Sequence, residues 1–219
     1  MTITDNLARI KKGLPPGVEL VAVSKTKPVE DILRAYNSGH LTFGENKVQE
    51  MVSKWEQLPK DIQWHMIGHL QRNKVKYLAE FVSLIHGVDS LKLLREIDKQ
   101  AKKHNRVIKC LLQVHIAEED TKFGFDPDEL NELVESKELP QLPNAQIVGL
   151  MGMATFTEDQ LQIRREFKAL KNLFDAVNAQ LPEISILSMG MSGDYEIAIE
   201  EGSTMVRIGS SIFGSRNYS

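Results

Sequence analysis

The run Val21-Ala22-Val23-Ser24-Lys25 is apolar and ends in an amine, and it carries the most direct chemical consequence in this chain. Read as a β-strand, it places Val21, Val23 and Lys25 on one face, because strand side chains alternate with period two. If that face lines the inside of a barrel, the Lys25 amine stands at its mouth. A partly desolvated amine has a lowered pKa and a lone pair that can attack a carbonyl. Lys27 precedes Pro28, which favours an extended, solvated loop position. Taken alone, Lys25 reads as a surface lysine with its stem laid on apolar neighbours, and the rest of the chain changes that weight.

Two later segments add anion chemistry. In Leu187-Ser188-Met189-Gly190-Met191-Ser192-Gly193-Asp194, Ser192 is suited to N-cap a helix over residues 195–201. Bare N–H groups and the positive dipole end make such a terminus attractive to anions. In Val206-Arg207-Ile208-Gly209-Ser210-Ser211, Gly209 lets backbone approach a ligand, and the two serines offer hydroxyls and N–H donors. Each loop alone is also ordinary capping and turn chemistry, but two in succession favour a phosphate. Met205, Arg207 and Gly209 share a strand face opposite Val206 and Ile208. The aliphatic face should meet helices, so Arg207 points inward, where a guanidinium needs an acceptor. A carboxylate elsewhere or a ring nitrogen of a bound cofactor would serve.

The elements that must position these groups alternate from end to end. Strand-like runs fall at 20–24, 41–43, 63–67, 82–86, 108–114, 147–151, 184–187 and 205–208, and amphipathic stretches at 29–37, 45–55, 91–104, 128–136 and 158–179. Pro28, Pro127 and Ser192 punctuate expected helix starts. The pattern predicts an α/β fold, a (β/α)8 TIM-type barrel, with an open doubly wound sheet as the alternative. Residues 4–14 read as an extra N-terminal helix. With no Gly-rich linker or composition break, residues 1–219 are expected to form one domain. In such barrels the active face is built from the loops after the strands. Lys25, Asn46, His69, Thr155, Ser192 and Ser210 all fall there, with Arg207 near the end of the last strand.

Composition narrows the classes. Hydrophobic residues make up 42% and charged residues 26%, with a net charge of -3, so there is no electrostatic case for nucleic acid or an anionic membrane. The single cysteine, Cys110, excludes an internal disulfide framework and a thiolate-rich zinc site, and its apolar surroundings predict a buried inert thiol. Met1 to Ile10 holds no apolar signal core and no run reaches the ~20 residues that span a bilayer, so a cytoplasmic location is the default.

An amine on the first strand, a phosphate cradle after the seventh and eighth, and an inward Arg207 together suggest pyridoxal 5'-phosphate (PLP). Here the chain resembles the PLP homeostasis proteins of the YggS/PROSC type, themselves similar to the barrel domain of bacterial alanine racemases and eukaryotic-type ornithine decarboxylases. The matching segments run in order along nearly the whole chain. They are Ala22-Val23-Ser24-Lys25-Thr26-Lys27, Phe43-Gly44-Glu45-Asn46, Trp64-His65-Met66-Ile67-Gly68-His69-Leu70-Gln71, Gly149-Leu150-Met151-Gly152-Met153-Ala154, Leu187-Ser188-Met189-Gly190-Met191-Ser192 and Val206-Arg207-Ile208-Gly209.

The resemblance implies PLP held as an aldimine on Lys25, Asn46 near the ring substituents, and Ile67 and Met153 flanking the ring. It implies that Ser192, Gly209 and Ser210 hold the phosphate and that Arg207 faces the pyridine nitrogen. It also implies a role in vitamin B6 balance without established catalysis. Ser210 stands where the family usually has Thr, His69 at a position that varies, and His115 where Asn is expected in a segment that keeps Lys122, Gly124 and Phe125.

An arginine never gives up its proton, so Arg207 would donate to an unprotonated ring nitrogen and weaken the electron sink, although racemases share this arginine. The related enzymes add a second domain and a dimer partner's residues, whereas this chain is expected to be used up by its barrel, leaving an open site suited to exchange. We expect a monomer, with no catalytic residue set and no metal site. His65 and His69 have metal-ligand spacing, but Ile67-Gly68 between them reads as a strand end.

Glu118-Glu119-Asp120 reads as a solvated loop with a role in cofactor release or partner contact as the alternative, and residues 99–106 as an exposed basic helix end. Trp55 and Trp64 read as packing residues, and Tyr36 matters only if it reaches the barrel mouth. The main expectation is a PLP carrier or buffer that serves apo PLP-dependent enzymes. A PLP-dependent racemase or decarboxylase of low activity is the second reading, and a colourless Schiff-base aldolase acting on a phosphorylated sugar is the third.

Overall fold

The computed structural model describes residues 2–118 and 123–214. Eight parallel strands close into a barrel in chain order: β1 (Glu19–Val23), β2 (Thr42–Glu45), β3 (Gln63–Met66), β4 (Leu84–Val88), β5 (Ile108–Gln113), β6 (Ala145–Met151), β7 (Ile186–Met191) and β8 (Met205–Ile208). The ring closes where β8 pairs with β1, Val21 opposite Arg207 and Ala22 opposite Ile208. Closure leaves no strand edge for another chain to extend. The expected barrel, not the open sheet, is the fold.

Helices α1 (Ile3–Gly13), α2 (Val29–Asn37), α3 (Val48–Gln57), α4 (Leu91–Lys103), α5 (Pro127–Glu135), α6 (Gln160–Gln180), α7 (Tyr195–Glu200) and α8 (Ser210–Phe213) cover the barrel. Their starts are chemically marked. Thr2 and Asp5 close a capping box on α1, and Asp126 and Glu129 close another on α5, where Pro127 occupies the first turn. The extra N-terminal helix α1 is tied to the end of the chain by Asn6 Nδ2, which donates to Ile212 O at 3.1 Å. Among the described residues, no helix is long and apolar enough to cross a membrane.

The core has two layers. Ala22, Phe43, Trp64, Ile85, Cys110 and Ile208 are buried in the layer shared with the surrounding helices. Val21, Leu84, Leu111, Val148, Met151 and Met205 form a separate cluster, with Ile67 and Ile186 packed against it. Val21 and Ala22 are adjacent in sequence yet belong to opposite layers, as strand alternation requires.

Several boundaries differ from those read in the sequence. Strand 82–86 becomes β4 at Leu84–Val88, because Val82 closes a turn whose carbonyl accepts from Arg106 Nη2 at 2.8 Å. Residues 45–47 are not helical: Glu45 ends β2 and α3 begins at Val48. Strand 184–187 shifts to Ile186–Met191. Ser192 does not cap α7. Asp194 is the N-cap residue, and its carboxylate takes the Met191 N–H at 2.5 Å, closing the turn before the helix starts.

Candidate cofactor site at the barrel mouth

Lys25 directly follows the inward series Val21 and Val23, and its side chain is half-buried. Ser24 N donates to Gly44 O and Lys27 N to Ser24 O, both at 3.0 Å, so the turn that carries Lys25 is anchored on both sides. Lys27 is not simply solvated. Its Nζ donates to Phe213 O at 3.1 Å and Gly214 O at 3.2 Å, because the last carbonyls of α8 lie within its reach and lack helical partners.

The loops after β7 and β8 meet at this end. Gly209 N donates to Ser192 Oγ at 3.2 Å. A Cβ on Gly209 would stand 3.1 Å from Val23 O and 3.2 Å from Val23 Cβ, so the last loop lies flat on β1 two residues before Lys25. Gly190 takes φ 95, and a Cβ there would fall 2.6 Å from Ala198 Cβ, which lets the seventh loop turn tightly under α7. Ser192 is half-buried and Ser210 exposed at the rim.

Below the rim Arg207 heads a polar chain whose other members, Ser188, His86 and His65, the sequence does not bring together. Arg207 is 3% exposed. Its Nη1 donates to Ser188 O at 2.9 Å and Ser188 Oγ at 2.6 Å, and its Nη2 to Gly152 O at 3.1 Å. These acceptors are neutral oxygens, not the carboxylate considered from sequence. Burial lowers the guanidinium to about 10, with Asp194 opposing the shift.

Ser188 Oγ lies 3.1 Å from His86 Nδ1, and His86 Nε2 lies 3.1 Å from His65 Nδ1. Burial, the largest cause, pushes His65 down to about 3 and His86 well below the usual imidazole value, so both are neutral near pH 7. Arg207 can only donate, so Ser188 Oγ accepts from it and keeps its own proton and a second lone pair for the contact with His86 Nδ1. The signal available in sequence is the shared parity of Ile186 and Ser188, and the expected strand 184–187 stops one residue short of it.

The other rim candidates are distributed as follows. Asn46 is half-buried, and a Cβ on Gly68 would meet its Cα at 2.8 Å, so the ends of β2 and β3 are in direct contact. Ile67 faces the barrel interior, its Cδ1 3.1 Å from where a Gly44 Cβ would sit. Met153 is 41% exposed beyond β6. Thr155 ties its loop to α6 and to the segment after β5, with Oγ1 donating to Glu166 Oε1 at 2.7 Å and accepting from Glu118 N at 2.9 Å.

His69 Nδ1 pairs with Asp89 Oδ2 at 3.1 Å while its ring meets Phe123 at 4.5 Å, so His65 and His69 take different partners. Among the described residues no group of three or more His, Cys, Asp or Glu side chains converges as a metal would need. Tyr36 turns away from the mouth, its hydroxyl donating to Asp61 Oδ1 at 2.9 Å ahead of β3. Cys110 is fully buried, and burial pushes its thiol up. His115 N donates to Phe125 O at 3.0 Å. Glu119, Asp120 and Lys122 lie outside the described residues.

The donor set suits a flat, aldehyde-bearing phosphate ester. One rim offers an amine, the facing loops offer hydroxyls with a glycine where a side chain would intrude, and a guanidinium that can only donate lies beneath. The chain belongs to the family of the alanine racemase N-terminal domain, which matches residues 1–217. Its relatives in sequence are pyridoxal phosphate homeostasis proteins. That of Aquifex aeolicus is 45% identical over 205 residues, covering 91% of this chain and 88% of the relative. That of Escherichia coli is 35% identical over 234 residues, covering 99% and 98%.

Among solved structures, PipY of Synechococcus elongatus is 37% identical and superposes with a TM-score of 0.92 in the form without PLP, over 97% of this chain and all of that one. With PLP bound, the TM-score is 0.88 over the same shares. Alanine racemase of Clostridium difficile, 16% identical, shares the fold alone, with a TM-score of 0.78 over all of this chain and 57% of the racemase.

Proposed function

We propose that this chain binds PLP at the barrel mouth, covalently through Lys25, and serves intracellular PLP homeostasis by holding and exchanging the cofactor. The observation that carries the reading is the placement of Gly209. Its N–H is bonded to Ser192 Oγ, and its Cα lies against Val23, two residues from Lys25. One glycine thus joins the hydroxyl loop to the strand that presents the amine. Relatives across nearly the whole chain carry the PLP homeostasis name, and PipY has been solved with PLP bound.

In this reading Lys25 Nζ adds to the aldehyde carbon and one water leaves. Ser192, Gly209 and Ser210 receive the phosphate, Asn46 lies beside the ring substituents, and Ile67 and Met153 pack against the ring faces. The bonds to Ser188 and Gly152 use three of the five Arg207 N–H groups, and a ring nitrogen can take one of the others. Bound PLP would supply an electron sink, and an arginine donor at its nitrogen would leave that nitrogen unprotonated and weaken the sink without by itself abolishing turnover. The chain works as one barrel domain over residues 1–219, a cytoplasmic monomer whose partners are apo PLP-dependent enzymes.

The test is spectroscopic and functional. Purified protein with PLP should show the visible band of a Schiff base, and Lys25→Ala should abolish it. A colourless protein with PLP present would sink the covalent reading. Racemisation and decarboxylation of an amino-acid panel, run beside transfer of PLP to an apo-enzyme, separate a carrier from a low-activity enzyme.

A further inference from the structure

A buried charge cluster outside the barrel interior brackets Lys25. Lys54 lies on α3 and is 5% exposed. Its Nζ donates to Ser24 O at 2.8 Å, Glu45 Oε1 at 2.7 Å and Glu50 Oε1 at 2.7 Å, which uses all three ammonium protons. Ser24 Oγ donates to the same Glu45 oxygen at 2.6 Å, and Thr26 N donates to Glu50 Oε1 at 2.6 Å. The residue before Lys25 and the residue after it are therefore held by one cluster. Thr26 sits at φ 64, a left-handed conformation that β-branched residues rarely adopt and that persists only where surroundings enforce it.

Folding alone does not call for this arrangement. A buried ion pair is often replaceable by apolar side chains without loss of stability. Glu45 is fully buried, and its Oε2 has no hydrogen-bond partner among the described residues. What the cluster achieves that packing would not is a single backbone conformation through residues 24–26.

We infer that Glu45, Glu50 and Lys54 are positioning residues that fix the Lys25 turn so that its amine meets the aldehyde. The inference rests on the reading of Lys25 as the covalent site. The clamp acts on imine formation and not on the phosphate grip, so the two must separate by ligand. PLP and its analogue lacking the aldehyde, 4'-deoxypyridoxine 5'-phosphate, share the ring and phosphate, and only PLP can bond to Lys25.

Glu50→Ala removes the acceptor of the Thr26 N–H from a partly exposed side chain while leaving the Lys54–Glu45 pair intact. Its PLP affinity should fall about tenfold, the scale of one lost hydrogen bond to a charged group. Its affinity for the analogue should hold within about twofold, since none of those contacts involves the clamp. Glu50→Gln, which still offers Oε1 to Thr26, should recover most of the loss. The paired replacement Glu45→Gln with Lys54→Met, which removes both buried charges together, should show the same selective loss. Thermal unfolding of each apo-protein reports whether it folds.

Equal loss of both ligands, unchanged PLP affinity in both variants, or a Glu50→Gln as poor as Glu50→Ala would overturn the clamp. Borohydride reduction of the unsubstituted protein followed by peptide mapping tests the underlying reading separately. A label absent from Lys25 there would overturn the covalent assignment whatever Glu50 does.

Discussion

Gly209 and Ser192 are 17 residues apart in sequence, yet the backbone N–H of the first donates to the hydroxyl of the second at 3.2 Å. The loops after β7 and β8 are thus joined in advance of any ligand, which reduces the ordering entropy that binding would otherwise have to overcome. The bond also sorts the donors: the Gly209 N–H is occupied, while the Ser192 hydroxyl proton can still be given to a phosphate oxygen. Ser192→Ala removes both effects. PLP affinity should fall about 3- to 10-fold in an equilibrium titration, with the visible band fully developed at saturation because Lys25 is untouched. An unchanged affinity would remove Ser192 from the phosphate site.

The buried imidazoles set an acid limit on stability. Burial, first among the causes in each case, holds His40 near 4, His65 near 3 and His86 well below its ordinary value. Unfolded, each would bind a proton near pH 6.5. Between the folded and unfolded values the unfolded chain holds more protons, so stability is full above about pH 6.5 and falls as pH drops toward 4 and then 3. Each histidine contributes about 1.4 kcal/mol per pH unit within that window. Urea midpoints from pH 7 to 4.5 should decline steeply, and His40→Gln should flatten the decline by one proton's slope. A pH-independent midpoint over that range would contradict neutral burial of these rings.

Much of the site was legible because strand alternation is a strict rule. Alternation puts Val21 on the inner side of β1 and Arg207 on that of β8, and the register that sets them opposite each other brings the two strands' inner faces together, while Lys25 lies in the turn just past the end of β1. What stayed hidden had two physical causes. Ser188-Met189-Gly190 reads as a loop, whereas β7 runs on to Met191 and gives Ser188 an inward face. Its partner His86 is 102 residues away, a pairing created only by closure of the barrel. The amphipathic stretch over 45–55 takes Glu45 into a helix, whereas it ends β2. Its burial is explained by Lys54, on a helix whose facing side no local pattern reports. The Ser192 cap was a correct residue type in the wrong partnership, since Asp194 lies nearer the start of α7 and the hydroxyl was taken by Gly209.

Arg207 has a structural role that is separable from cofactor binding. Through Ser188 and Gly152 it joins the ends of β6, β7 and β8. Arg207→Leu removes a buried donor from Gly152 O, Ser188 Oγ and Ser188 O, the last of which keeps the Gly152 N–H at 3.2 Å, and should lower unfolding free energy by about 2–4 kcal/mol even without PLP. Chemical denaturation of the apo-protein measures this. If the loss appears only in the PLP-loaded protein, Arg207 contributes through the ligand alone.

Two glycines test the barrel itself. A Cβ on Gly149 would fall 1.8 Å from the backbone oxygen of Ile186, which is its own register partner across β6 and β7. No rotamer relieves a clash between Cβ and backbone, so Gly149→Ala must force the two strands apart and open the ring. The expected outcome is loss of more than about 4 kcal/mol, seen as insoluble or unfolded protein. Gly13, the last residue of α1, has nothing within 4 Å of its would-be Cβ. There alanine removes backbone entropy from the unfolded chain and favours the helix, so Gly13→Ala should stabilise by about 0.5–1 kcal/mol. Thermal unfolding of the pair should therefore give opposite signs. Equal behaviour would mean that β6 and β7 are not packed backbone to backbone at this point, and the register that places Met151 and Ser188 side by side near the Arg207 anchor would have to be redrawn.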